Sequence, residues 1–313
     1  MDVICIIGPT ACGKKEIATA LLDEFGEKIT FISCDSRKIY RYMDIGTAKP
    51  PPSLRQYFRL MDIRNPDETY SAGDFAKDAE VILQEVYSKA KVPVIIGGTP
   101  LYYLALFSEF FEEPKKDPEI RRYVLEKLKK FGSETLYREL MEIDEETASK
   151  LHPNDWIRIT RALEIYYQLK IPPSVARKTL KKERRFRPIY FGINIPRELL
   201  YQKIEARTLK MFHEGLVEET EKILQMGYSR ELPSLNTIGY KESIAYLEKK
   251  ISLEEAIRKT VKNTKVYARR QLRFFRSFNN VVWFYLPEQE KLLLDRLKAE
   301  IKSKLEGSDI NIA

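Results

Sequence analysis

The stretch that decides the fold is Val3-Ile4-Cys5-Ile6-Ile7-Gly8-Pro9-Thr10-Ala11-Cys12-Gly13-Lys14-Lys15. An apolar run leads into a glycine-bounded loop. A helical pattern follows, with Ala18, Leu21, Leu22 and Phe25 recurring at i, i+3, i+4 and i+7. Strand, glycine loop, helix is the setting of a phosphate-binding P-loop. Gly8 and Gly13 let backbone N–H groups curl toward phosphate oxygens, and the helix N-terminus and Lys14 add positive charge. An ordinary glycine turn is the plainer alternative. One position is out of pattern. The residue after the lysine is ordinarily Ser or Thr, whose hydroxyl ligates Mg²⁺; here it is Lys15.

Outward from this loop, strands and helices alternate through the first third of the chain, which implies a parallel sheet with crossover helices. Ile29 to Asp35 reads as a second buried strand ending in a carboxylate. Residues 46 to 56, with Gly46, Pro50, Pro51 and Pro52, read as loop. Residues 74 to 90 form an amphipathic helix with Phe75, Ala79, Ile82 and Val86 on one side. Val92 to Thr99 reads as a strand running into a glycine turn, and a helix from Leu101 to Phe107 follows. From Glu112 to about Arg187 only helical patterns occur, which marks an inserted helical domain. Ile189 to Ile195 returns to the sheet, and Val281 to Tyr285 is a last short strand. The fold class is therefore α/β, a P-loop NTPase-like parallel sheet core with an inserted all-helical domain. Its expected limits are 1–111 and 188–313 for the core and 112–187 for the insert.

The 313 residues, 43% of them hydrophobic, suffice for a sizeable core. No apolar run approaches the ~18 residues of a membrane span. The P-loop strand starts at residue 2 or 3, which leaves no room for a signal peptide ahead of it. Three cysteines without paired spacing fit a reduced, cytoplasmic setting. With two histidines, His152 and His213, a His-rich metal site or a Ser-His-Asp arrangement has little to draw on. The net charge of +8 says less than its distribution. Ile257 to Arg276 holds eight Lys or Arg residues and no acid.

Asp35 ends a strand at the edge where open α/β sheets bind ligands. A carboxylate there can ligate Mg²⁺ or accept a proton from a nucleophile; it can also simply cap a turn. Thr99, after Gly97-Gly98, ends another strand at the same edge, where its hydroxyl can bond a substrate or cap a helix. Lys262, Lys265, Arg269, Arg273 and Arg276 line one helix face, as phosphate-backbone contact requires. Leu272 and Phe275 lie on another face, and core packing is the expected role of both Phe274 and Phe275. A solvated charged face is the alternative for the ridge, but such faces usually mix signs. Asn154 to Arg161 opens a helix with Arg158 and Arg161 as neighbours.

Together these motifs resemble one family, the bacterial-type tRNA dimethylallyltransferases (tRNA isopentenyltransferases). The resemblance is carried by Gly8 to Lys14, Asp35-Ser36 with Tyr40, Met43-Asp44-Ile45-Gly46-Thr47-Ala48-Lys49-Pro50 and Tyr70 to Phe75. It continues through Gly97-Gly98-Thr99, His152 to Asp155, Arg158-x-x-Arg161-Ala162-Leu163-Glu164, Ile238-Gly239-Tyr240 and Arg270-Gln271. The run Met43 to Pro50 is the most specific, with no general structural reason to recur.

The resemblance implies transfer of a dimethylallyl group from dimethylallyl diphosphate to N6 of adenine 37, beside the anticodon of tRNAs that read U-initial codons. It implies that Gly8, Pro9, Thr10, Ala11, Cys12, Gly13, Lys14, Lys15 and Arg207 hold the diphosphate. Asp35 would be the base, Thr99 would orient the adenine, and Mg²⁺ would be the cofactor, with Asp35 as its candidate ligand. Contacts to the tRNA anticodon stem-loop would map to Asp35, Ser36, Arg37, Lys38, Thr99 and Arg121. Further contacts would come from Ile157, Arg158, Ile159, Thr160, Arg161, Gly239, Tyr240, Lys241, Arg269, Arg270, Gln271, Arg273 and Arg276. No membrane association is expected, and a monomer is the simplest state.

Lys15, Lys38, Ile157 and Lys265 depart from the family pattern, which has Ser or Thr, Gln, Gln and Arg at these places. Lys265 keeps its charge without the bidentate fork. Three other readings stay open on sequence: a P-loop kinase using ATP or another nucleotide, an isopentenyltransferase acting on free adenine nucleotides, and a non-catalytic tRNA-binding relative.

Overall fold

The computed structural model describes residues 1–108, 114, 117–180 and 185–309. The strands are β1 (Asp2–Ile7), β2 (Ile29–Cys34), β3 (Phe58–Arg59), β4 (Val92–Gly97), β5 (Arg187–Asn194) and β6 (Val281–Tyr285). The first helices are α1 (Lys14–Phe25), α2 (Pro52–Arg55), α3 (Ala72–Ser88) and α4 (Pro100–Phe107). A helical segment follows, with α5 (Pro118–Ile143), α6 (Glu145–Ala148), α7 (Trp156–Leu169) and α8 (Pro173–Thr179). The last are α9 (Arg197–His213), α10 (Leu216–Gln225), α11 (Tyr240–Leu247), α12 (Leu253–Phe275) and α13 (Glu290–Asp309).

The chain divides into two compact units, residues 1–107 with 185–313, and residues 108–184. In the first unit all six strands form one parallel sheet in the order β3-β2-β4-β1-β5-β6. The apolar strands are continuous runs because both faces are covered. Ile4 and Ile6 of β1 point to one face, where α1, α9 and α13 supply Ile17, Leu21, Leu200, Ile204, Leu293 and Leu297. Val3, Cys5 and Ile7 point to the other, against Phe75 and Leu83 of α3, Tyr103 of α4 and Phe275 of α12. The chain moves to one side of β1 for β2 and β4 and crosses to the other for β5. β1 is thus the switch point of the sheet, and its carboxyl end is where such sheets bind ligands.

β3 was not expected; two residues are too few to show periodicity. α3 begins two residues before the expected helix because Ser71 caps it: the Ser71 hydroxyl accepts the Asp74 N–H at 3.1 Å and Asp74 Oδ2 accepts the Ser71 N–H at 2.9 Å. The second unit holds only helices among its described residues, around a core of Val124, Leu136, Leu140, Ile159 and Leu163. Residues 112, 113 and 181–184, near the expected ends of the insert, lie outside the described residues.

The Met43 to Pro50 run does have a structural reason. Glu219 of α10 accepts the N–H groups of Asp44, Ile45 and Gly46, at 3.0, 2.9 and 3.3 Å, and the Tyr240 hydroxyl at 2.7 Å. Gly46 is needed because a Cβ there would collide with the Tyr240 ring. The buried Lys49 ammonium donates to Asp44, Asp62 and the Tyr40 carbonyl at 2.8, 2.5 and 2.5 Å. Arg55 binds the remaining oxygens of the same two carboxylates, at 3.0 and 3.5 Å. Two cations facing two carboxylates leave the cluster neutral, which lets the ammonium be buried.

Candidate active site and RNA-facing surface

Position 13 ends the P-loop and α1 begins at once. The Ile17 N–H to Gly13 carbonyl bond, at 3.2 Å, opens the helix ladder. The amides before Ile17 therefore have no intrahelical partner and remain for an anion. The Thr10 amide is the exception. Its N–H is taken at 2.9 Å by Oε1 of Gln271, on α12, so it does not serve the expected phosphate cradle. The same side chain donates through Nε2 to the Gly98 carbonyl at 2.6 Å. A Cβ on Gly98 would collide with that amide, so a larger residue there would push the Gln271 side chain off its bonds. Gln271 is 4% exposed. Its expected contact with tRNA is corrected: it ties the P-loop to the turn after β4.

Lys14 Nζ lies across its own loop and donates to the Gly8 and Pro9 carbonyls at 2.8 and 2.6 Å. Cys12 is buried, and its Sγ lies 3.5 Å from the same ammonium. Lys15 is exposed at the helix start.

β2 and β4 end side by side. The Asp35 Oδ1 accepts the Arg37 N–H at 2.9 Å and the Lys38 N–H at 3.4 Å, so Asp35 does cap a turn. Among the described residues Oδ2 has no hydrogen-bond partner. The Thr99 hydroxyl accepts the Ser36 N–H at 3.1 Å, which fixes the oxygen and leaves its own O–H to donate. Sequence placed these groups at one edge, and the structure brings them together.

A cleft with about 70 Å³ of water-accessible volume, partly open to solvent, lies over this edge. Lys14, Lys15, Lys38, Ser33 and Asp35 form its polar lining. Ala18, Leu22, Leu54, Phe58, Met61 and Ile96 form an apolar one. β3 is thus a cleft wall, and only its pairing with β2 reveals it. Burial, with the charges of Arg207, Lys14 and Lys15, lowers the Lys38 ammonium to about 8, and Asp35 opposes this. Burial also lowers Arg207, and Asp35 again opposes it. Arg207 of α9 is therefore within electrostatic reach of Asp35 and Lys38.

The lining does not fit Mg²⁺ held by the protein. Position 15 carries an ammonium, and the Thr19 hydroxyl donates to the Lys15 carbonyl at 3.1 Å. Asp35, with one free oxygen, is the single carboxylate of the lining. Among the described residues no group of three or more His, Cys, Asp or Glu could hold a metal ion.

Several expected RNA contacts are corrected. Tyr240 is fully buried with its hydroxyl on Glu219. Ile159 and Thr160 face the core of the helical unit. Arg161 and Arg121 both bind the buried Glu164, at 3.1 and 3.0 Å, and Arg161 also donates to the Pro114 carbonyl at 2.7 Å. Ile157 is 63% exposed, and Arg158 pairs with Asp155 at 2.7 Å. On α12 Arg269, Arg270 and Arg273, and at its C-terminal cap Arg276, are exposed and make no ion pair among the described residues. Lys265 departs from this ridge: it pairs with Glu205 at 3.4 Å and lies over the Tyr201 ring. Phe275 is buried as expected, but Phe274 is 39% exposed and touches Phe278 edge-on. Gly239 starts α11, and Lys241 is exposed beside Glu242. Arg37 donates to the Pro233 carbonyl at 3.2 Å. None of the described helices is long and apolar enough to cross a membrane.

The family model of IPP transferases matches residues 38–278. The chain is 40% identical over 309 residues to the tRNA dimethylallyltransferase of Thermotoga maritima, covering 97% of both. It is 37% identical over 317 residues to that of Thermoanaerobacter sp. strain X514, covering 98% of both. Among solved structures, the tRNA isopentenylpyrophosphate transferase of Bacillus halodurans is 32% identical, with a TM-score of 0.69 and 98% of each chain covered. A family match over well more than half of the chain, with similarity repeated over nearly the full length of these relatives, establishes that the chain belongs to the IPP transferase family.

Proposed function

We propose that this protein transfers a dimethylallyl group from dimethylallyl diphosphate to N6 of adenine 37 in the anticodon loop of tRNAs reading U-initial codons. The observation that carries the reading is the two-sided cleft: cationic groups at the P-loop and an apolar wall beside them. That lining suits an anionic head on a short hydrocarbon tail.

In this reading the free amides at the start of α1, with Lys14, Lys15 and Arg207, hold the diphosphate. Lys14 leaves the Gly8 and Pro9 carbonyls to do so. The Thr99 O–H donates to a ring nitrogen of the adenine. N6 attacks C1 of the donor, the C1–O bond breaks, and its electron pair stays on the diphosphate oxygen. Asp35 Oδ2 takes the N6 proton. The cations and amides stabilise the departing anion. Because the lining does not fit a protein-held Mg²⁺, no step is assigned to it. The adenine must leave its stack, which costs a few kcal/mol and is easiest in a loop.

Arg269, Arg270 and Arg273 of α12, with Arg276 at its C-terminal cap, serve the RNA backbone, with Ser36, Arg37, Gly239 and Lys241 near the acceptor, and Ile157 and Arg158 on the inserted helical unit. The first unit is the catalytic core with its tRNA-binding helices. The enzyme works as a monomer in the cytoplasm. An incubation of the protein with radiolabelled dimethylallyl diphosphate and either unmodified tRNA, AMP or ATP tests the reading. Label is expected on tRNA; label on the free nucleotides alone would overturn it.

A further inference from the structure

We propose that Lys15 and Lys38 together supply the charge that a divalent ion would otherwise place on the departing diphosphate, so that this protein binds diphosphate and transfers the prenyl group without metal. The inference rests on the prenyl-diphosphate reading of the cleft.

The two lysines reach the cleft from different elements, Lys15 from the start of α1 and Lys38 from the turn after β2. Among the described residues neither ammonium has a hydrogen bond or ion pair. Lys14, by contrast, is held by two carbonyls. Lys38 is half-buried, so an unpartnered ammonium there is a standing electrostatic cost. Crowding by Arg207, Lys14 and Lys15 adds to that cost, and the single acid of the lining, Asp35, offsets only part of it. A bound anion relieves all of these terms at once. The arrangement is stable with a diphosphate present and strained without it, as expected of groups placed for that ligand.

The charges also match. Two ammonium groups carry the two positive charges of one divalent ion. Lys15 occupies the place from which a P-loop hydroxyl would bind that ion. A dication added to this lining would face the lysines and Arg207 with one free carboxylate oxygen to hold it. An ammonium cannot ligate a metal, but it donates up to three hydrogen bonds to phosphate oxygens.

Calorimetric binding of inorganic pyrophosphate tests this directly. Wild-type protein and the double variant Lys15→Thr with Lys38→Gln are titrated in buffer stripped of metals by chelating resin, and again with Mg²⁺. The wild type is expected to bind in both buffers. The double variant is expected to lose about tenfold in affinity per lysine in metal-free buffer, the worth of one hydrogen bond to a charged group, and to regain much of it with Mg²⁺. Binding by the wild type only with Mg²⁺ overturns the proposal. An identical Mg²⁺ response in both proteins does so too. Transfer is measured in parallel on a synthetic anticodon stem-loop that keeps its fold in NaCl alone. Transfer in both buffers supports the proposal. Transfer only with Mg²⁺ overturns it and leaves the function standing. Transfer in neither overturns the function, while the calorimetry still decides whether the lysines replace the ion in binding.

Discussion

Gln271 Oε1 accepts the Thr10 N–H at 2.9 Å across 261 positions of sequence. Helix α12 carries the exposed arginines, so one side chain joins the cationic ridge to the loop that faces the cleft. Replacing it with Met keeps the bulk and leaves the Thr10 N–H and the Gly98 carbonyl without their partner. An unsatisfied buried group costs about 1–3 kcal/mol. Gln271→Met is expected to lower stability to urea by about that amount and to raise KM for dimethylallyl diphosphate more than KM for tRNA. Equal effects on both would remove Gln271 from positioning the P-loop.

Asp35→Asn separates the two roles of that residue. The amide oxygen still accepts the Arg37 N–H, so the turn persists. The proton acceptor is lost. The expected drop in kcat is roughly 10²–10⁴-fold with a near-normal unfolding midpoint. Turnover near wild type would assign Asp35 to the turn alone.

The Lys38 ammonium, lowered to about 8 chiefly by burial, sets an alkaline limit. Below that pH the free protein carries the charge and attracts diphosphate; above it the charge is lost and donor affinity falls. The kcat/KM for the donor should therefore decline as pH rises through about 8. In Lys38→Gln that limb should be absent and the plateau lower. The same shift acts oppositely on folding. The unfolded chain binds more protons between the folded and unfolded pKa values, so the cost of burying the ammonium is relieved as pH rises in that window. A pH profile unchanged in the variant would place Lys38 outside donor binding.

Arg273→Ala tests the ridge. Removing one phosphate contact should weaken tRNA binding and reduce the slope of log K against log salt by about one. Filter binding from low to moderate salt measures this. Lys265→Ala should change the slope less, because Lys265 already faces Glu205. Equal slopes for wild type and Arg273→Ala would take that arginine off the RNA.

Glu219→Ala should destabilise the protein by about 3 kcal/mol, since three backbone amides and the Tyr240 hydroxyl lose a charged acceptor. Chemical denaturation measures it, and a loss under ~1 kcal/mol would show that water replaces the carboxylate.

Every strand but β3, the loop, and the meeting of Asp35 and Thr99 at one sheet edge were legible because each is local: a continuous apolar run, a fixed spacing, a strand end. What was not legible depends on partners far along the chain. The sequence shows Gln271 beside arginines and cannot show that its amide turns inward. Tyr240 reads as part of a motif, and only Glu219 and Gly46 explain it. Arg161 looked available until Glu164 was found to hold it together with Arg121. Phe274 and Phe275 are alike in sequence, and the roughly 100° between neighbouring helix positions buries one and exposes the other.

The place of β1 in the sheet has a consequence for how the protein is made. Its neighbours, β4 and β5, both come later in the chain, and β5 follows the whole helical unit. The Gln271 that fastens Thr10 comes later still. While the chain is being synthesised, the P-loop strand must wait with an open edge, and the loop cannot take its final shape until α12 has emerged. A nascent chain would therefore hold no finished diphosphate site before it also holds the basic helix proposed to receive RNA.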